Sequence, residues 1–171
     1  PEVAEAFEAA VARLSAAGAR IVSSPVPEFL ELAAINAKGG FTAAECYAAQ
    51  RTLLAERGDG YDPRVSVRIR RGAEQSAADY LDILAARRGF IARTNARIAP
   101  YDALLMPTAP ILPPRIADLA TDEAAYAKAN LAALRNPTFI NMLDGCAISL
   151  PLTATGGAPV GLMLAGAAGR D

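Results

Sequence analysis

Two short runs near the C-terminus constrain this chain more than any other feature. Ala147 to Leu152 and Val160 to Ala165 are apolar at nearly every position. A half-buried strand alternates apolar and polar residues, so an unbroken apolar run implies burial on both faces. Thr155-Gly156-Gly157 lies between the runs, and its glycines permit a tight reversal. The pair therefore reads as a buried antiparallel hairpin. Such a hairpin needs helices to cover it. The expected class is α/β, or α+β, with a mixed β-sheet under helices.

The rest of the sequence supplies those helices. Val3, Phe7, Val11 and Leu14 share one face of a helix over 2–17, with Glu2 and Glu5 in the first turn and Gly18 as its stop. Ala19 to Ser23 reads as a short strand ended by Pro25 and Pro27. A short helix runs from about Pro27 to Lys38, stopped by Gly39-Gly40. Thr42-Ala43-Ala44-Glu45 has the form of a capping box for a helix to about Arg57, and Gly58 to Pro63 is a loop. Ser76 starts the longest helix, which Pro100 ends, with Tyr80, Leu84, Arg87 and Ile91 on one face. Asp102 to Met106 is a strand, broken at Met106-Pro107-Thr108-Ala109-Pro110. After a Pro-rich loop, Thr121 caps a helix to about Arg135. Asn136-Pro137 interrupts it, and Thr138 to Leu143 resumes as a helical turn. No internal repeat and no long linker divides the chain.

Composition removes several classes of function. The formal net charge is -1, without the basic excess of a nucleic-acid binder. The chain has no histidine and two cysteines, Cys46 and Cys146, so no zinc site, disulfide framework or cofactor is expected. The longest apolar stretches fall far short of the ~20 residues that span a bilayer. No membrane partner is expected, and a cytoplasmic setting follows. The Pro1-Glu2-Val3 start and the Gly-rich exit to Asp171 read as those of a truncated or cleaved chain.

Three ordered segments together resemble the amidase-signature family. The first is Tyr101 to Pro110. The second is Arg135-Asn136-Pro137-Thr138-Phe139-Ile140-Asn141, followed by Ala147-Ile148-Ser149-Leu150-Pro151. The third is Gly157 to Gly166. Their order and spacing are similar to the C-terminal portion of that family, and the N-terminal helix with Gly18 to Val22 is similar to the stretch after its catalytic core. The resemblance implies part of the amidase-signature fold and hydrolysis of a small-molecule amide by a Ser–Ser–Lys triad. A serine hydroxyl needs such a base before it becomes a useful nucleophile. Ser23-Ser24 is the only Ser–Ser pair and is followed by Pro25 in place of the family's glycines. Neither Lys38 nor Lys128 sits in a family-like catalytic context. No catalytic residue is therefore assigned here. Residues 1–171 are read as the C-terminal portion of one amidase domain, whose missing N-terminal core is the expected partner.

The candidate substrate contacts are Tyr80, Thr108, Arg135 and Asn136. The resemblance places a tyrosine in the pocket near Tyr80, and polar substrate contacts near Arg135-Asn136. An arginine fork could hold a carboxylate through two hydrogen bonds. Each has a plainer reading: Tyr80 as half-buried core, Arg135 as a cap on its own helix's last carbonyls, and Thr108 as a turn-stabilising hydroxyl. Arg87 is expected to find an acidic partner, and Cys146 to be a small buried hydrophobe. Two other readings stand beside the amidase: a non-catalytic interaction module, and a subunit fragment of a glutamine-dependent amidotransferase. The possibility of a homodimer stays open.

Overall fold

The computed structural model describes residues 2–152 and 157–171. It divides into two compact units, one built from residues 1–26 and 94–171, the other from 27–93.

In the first unit, helix α1 (Glu2–Ala16) buries Val3 and Ala10. Gly18 takes φ +100°, and Ala19 N–H reaches back to the Leu14 carbonyl at 3.0 Å, which closes the helix as the glycine stop requires. The expected strand at Ala19 to Ser23 does not form. These residues are exposed and irregular, because no neighbouring strand among the described residues offers them a ladder.

The sheet has three antiparallel strands: β1 (Leu104–Pro107), β2 (Cys146–Pro151) and β3 (Gly161–Gly166), in the order β1-β3-β2. The hairpin is present with Ile148 opposite Leu164 and Leu150 opposite Leu162. Residues 155 and 156 of its connecting turn lie outside the described residues. β1 pairs with the other side of β3, Met106 opposite Met163. The central strand β3 buries Leu162, Met163 and Ala165. On one sheet face, Ile140 packs with Met163 and Ala165 beside Leu104 and Met106. The expectation of burial on both faces fails for β2, where Ile148 is 59% and Leu150 44% exposed. β2 is an edge strand, and nothing in the described chain covers its outer side.

Helix α7 (Glu123–Leu143) supplies Ile140 and runs unbroken through Pro137. This corrects the expected interruption at Asn136-Pro137. Proline removes one backbone donor. The Thr138 hydroxyl donates to the Leu134 carbonyl at 2.7 Å, and Asn136, Ile140, Met142 and Leu143 are buried, so packing holds the helix together. Its cap is Asp122, which accepts from the Ala125 N–H at 2.9 Å, not Thr121. A four-residue helix α6 (Ile116–Leu119) precedes it.

The second unit holds α2 (Leu32–Ile35), which follows a 3₁₀ turn at Pro27–Glu31, then α3 (Gly40–Arg57), α4 (Pro63–Arg70) and most of α5 (Ala77–Ile98). Gly39 and Gly40 both take positive φ and end the preceding turn as expected. The Thr42 capping box is not used: α3 begins at Gly40, and Gly39 is its cap. Asp62 caps α4 by accepting from Arg64 N–H at 2.7 Å. Ser76 and Asp79 cap α5 reciprocally, at 3.1 and 2.9 Å. The buried stripe on α5 is Ile83, Phe90, Thr94 and Ile98. The expected face was rotated from this. Arg87 falls on the stripe between Ile83 and Phe90, with its guanidinium 5.8 Å from the centre of the Phe41 ring. This puts the cation against the ring's electron-rich face.

At Gly72 the turn after α4 meets the α3 backbone. A Cβ there would sit 2.6 Å from Tyr47 Cβ and closer still to the Ala43 carbonyl. Gly72→Ala should therefore cost about 1–3 kcal/mol in a denaturant melt, as overpacking does. Lys38 pairs with Asp79 at 2.7 Å, and with the Ser76 bonds this draws the carboxyl from its ordinary 3.8 down to about 2. Folding lowers this pKa, so its contribution is complete above 3.8 and is lost as pH falls toward 2. Melting temperature followed from pH 5 to about 2 should fall more steeply for the native chain than for Asp79→Asn.

Candidate functional site

One end of the three-stranded sheet gathers polar side chains that the apolar strands elsewhere lack. β1 finishes at Pro107, which has no backbone N–H to donate. The next residue, Thr108, donates its N–H to the Gly161 carbonyl at 2.8 Å. Ser149 reaches the same place from β2, and its hydroxyl lies 2.5 Å from that of Thr108. Gly161, on the strand between them, makes room for this meeting. A Cβ at Gly161 would stand 2.6 Å from both hydroxyl oxygens.

Asn136 joins the cluster from α7. It is 4% exposed, and its Nδ2 donates to the Pro107 carbonyl at 2.6 Å. Its Oδ1 accepts from Arg135 Nε at 3.1 Å. Both ends of the amide are used, as burial requires. Arg135 itself is exposed. α7 continues to Leu143, so Arg135 lies two turns before its last carbonyls and does not cap them.

Thr108, Arg135 and Asn136 are thus brought together at one sheet end. Tyr80 belongs to the other unit. There its hydroxyl donates to Glu45 at 3.0 Å, and its ring meets Phe41 edge-on, centroids 5.7 Å apart. The bond to Glu45 holds the phenolic proton and, with desolvation and the Glu45 charge, raises the pKa above 10.0.

Ser149, Gly161 and Glu45 were missed from sequence. Ser149 had a signal, being the one polar residue in an apolar strand. Glu45 had none, because its meeting with Tyr80 spans 35 residues.

This arrangement can bind but has no means of activating a nucleophile. Among the described residues no basic side chain bonds Thr108 or Ser149, so neither hydroxyl has a proton acceptor of the needed kind. Ser23-Ser24 is exposed in an irregular stretch. Lys38 is engaged with Asp79, and Lys128 is exposed on α7. No group of His, Cys, Asp and Glu among the described residues could hold a metal ion. No described helix is long and apolar enough to cross a membrane. At the opposite sheet end, Cys146 is half-buried with Sγ 3.4 Å from the Ala167 carbonyl. It borders a cavity of about 360 Å³ with Ala103, Ile148 and Leu164.

Gly161→Ala should destabilise the protein by about 1–3 kcal/mol. Adding Ser149→Ala should restore part of the loss in a double-mutant cycle of thermal melts. Additive losses would show that the two sites do not press on one another.

Comparison with known proteins gives a consistent result. A family model described as Amidase matches residues 1–171. The chain is 37% identical over 171 residues to 2-amino-5-chloromuconic acid deaminase of Comamonas testosteroni, covering 97% of this chain and 36% of that protein. It is 30% identical over 196 residues to one subunit of the glutamyl-tRNA(Gln) amidotransferase of Rhodococcus erythropolis, covering 100% and 39%. In structure it is similar to Kluyveromyces lactis allophanate hydrolase, with TM-score 0.83, 29% identity and coverage of 98% of this chain and 27% of that one. The chain thus spans well under half the length of each.

Proposed function

The chain belongs to the amidase family, and on that premise we propose that it is the substrate-side portion of a longer enzyme that hydrolyses a carboxylic amide to acid and ammonia. The family match across all of residues 1–171, in a chain spanning 36% of one relative and 39% of another, carries this reading. On it the Ser–Ser–Lys triad belongs to the remainder of the protein, upstream of Pro1. One serine attacks the amide carbonyl, and the lysine relays the proton through the second serine to the leaving nitrogen. Water then releases the acid.

The part taken by residues 1–171 is to build a wall of the pocket. Thr108 and Arg135 are its substrate contacts in the first unit, and Tyr80 is a separate candidate contact in the second. Asn136, buried with both ends of its amide engaged, positions Arg135 and the end of β1. The exposed apolar side chains of β2, Ile148 and Leu150, are covered by the rest of the same protein. Two free cysteines and the composition fit a cytoplasmic enzyme. The 30% match to part of an amidotransferase favours amide-nitrogen transfer as a second reading.

The test compares residues 1–171 with the full-length protein in an ammonia-release assay on a panel of amides. Only the full-length protein should turn over. Robust hydrolysis by residues 1–171 would overturn the placement of the triad. Acid formed without free ammonia, the nitrogen appearing on an acceptor instead, would favour transfer. In the full-length enzyme, Tyr80→Phe and Thr108→Val should change the ranking of amides by about tenfold while moving the melting temperature by only a few degrees.

A further inference from the structure

Resting on the amidase reading above, we propose that Arg135 is a specificity-determining residue that holds a carboxylate, so that the substrate is an amide which also carries a free acid group.

The argument begins with how Arg135 is held. Its Nε–H donates to Asn136 Oδ1 at 3.1 Å, and Asn136 in turn donates to the Pro107 carbonyl at 2.6 Å. The asparagine is 4% exposed, so the arginine is tethered to a group fixed in the protein interior. A free surface arginine loses considerable rotamer entropy when it captures a ligand. Here part of that freedom is already gone, which is preorganisation.

The tether also selects which donors remain. A guanidinium has five N–H groups. Asn136 takes the one on Nε, leaving the four on the terminal nitrogens. No carboxylate among the described residues pairs with them. Two cations of the other unit do have such partners: Arg93 pairs with Glu31, and Lys38 with Asp79. Arg87 lies over Phe41. Arg135 is too far from the end of α7 to serve its carbonyls. Two terminal N–H groups in one plane match the two oxygens of a carboxylate. The Thr108 and Ser149 hydroxyls sit at the same sheet end, one residue beyond the carbonyl that anchors Asn136. The charge available is one arginine, which suits a singly charged acid.

The test uses the full-length enzyme and matched amide pairs of equal chain length. One member of each pair is the monoamide of a dicarboxylic acid, and the other has a methyl group in place of the acid. The readout is the ratio of kcat/KM for the acid member to that for the neutral member. Arg135→Gln should lower this ratio by about 30- to 100-fold, chiefly through KM. Arg135→Lys should lower it less, because a point charge replaces a fork. Simple dicarboxylates should inhibit the native enzyme competitively and Arg135→Gln at least about tenfold more weakly. A ratio unchanged in Arg135→Gln, in a variant with native melting temperature, overturns the inference and leaves amide hydrolysis standing. No turnover of either member by the native enzyme, across chain lengths, overturns both.

Discussion

A single buried amide ties the long helix to the sheet. Asn136 donates to the carbonyl of Pro107 and accepts from Arg135, and it does so from a position 4% exposed. A buried carboxamide left unpaired would cost on the order of 1–3 kcal/mol, so the site tolerates only one arrangement of helix and strand end. In that arrangement the last carbonyl of β1 is captured, and the Thr108 and Ser149 hydroxyls meet one residue beyond it.

The sheet itself is asymmetric. β3 has a neighbour on each side and buries Leu162, Met163 and Ala165. β2 has a neighbour on one side only, and its Ile148 and Leu150 are largely in solvent. An apolar edge of this kind is a liability for an isolated chain, which natural sheets blunt or cover. The apolar residues of β2 carry no charge or bulge that would protect them.

Much of this was legible in the sequence, and the failures have physical causes. The hairpin, α1 with its glycine stop, and the start of α5 at Ser76 were all readable, because each depends on neighbours close in the chain. The burial of β2 was misjudged, since an apolar composition does not say which side of a sheet is free. The break at Pro137 was misjudged because proline was weighed against the helix alone. Long-range packing by Ile140 and Leu143 and the Thr138 back-bond to Leu134 outweigh the lost donor. The buried face of α5 was turned from the expected one, while Arg87, expected on that face, lies half-buried beside an aromatic ring. At the candidate site, Thr108, Arg135 and Asn136 could be singled out. Ser149 could not be joined to Thr108 before the strand order was known, because β3 lies between their strands.

The hydroxyl pair over Gly161 has a consequence that can be counted in protons. Two hydroxyls carry two hydrogens, and one oxygen–oxygen contact of 2.5 Å uses only one of them. The other must turn away from the pair, and no other protein group among the described residues takes it. Either oxygen can be the donor. The pair therefore always shows the outside one hydrogen to give, and reversing the inner bond merely moves it from Thr108 to Ser149. A molecule seated there would meet a donor that can change its address without any side chain leaving its place.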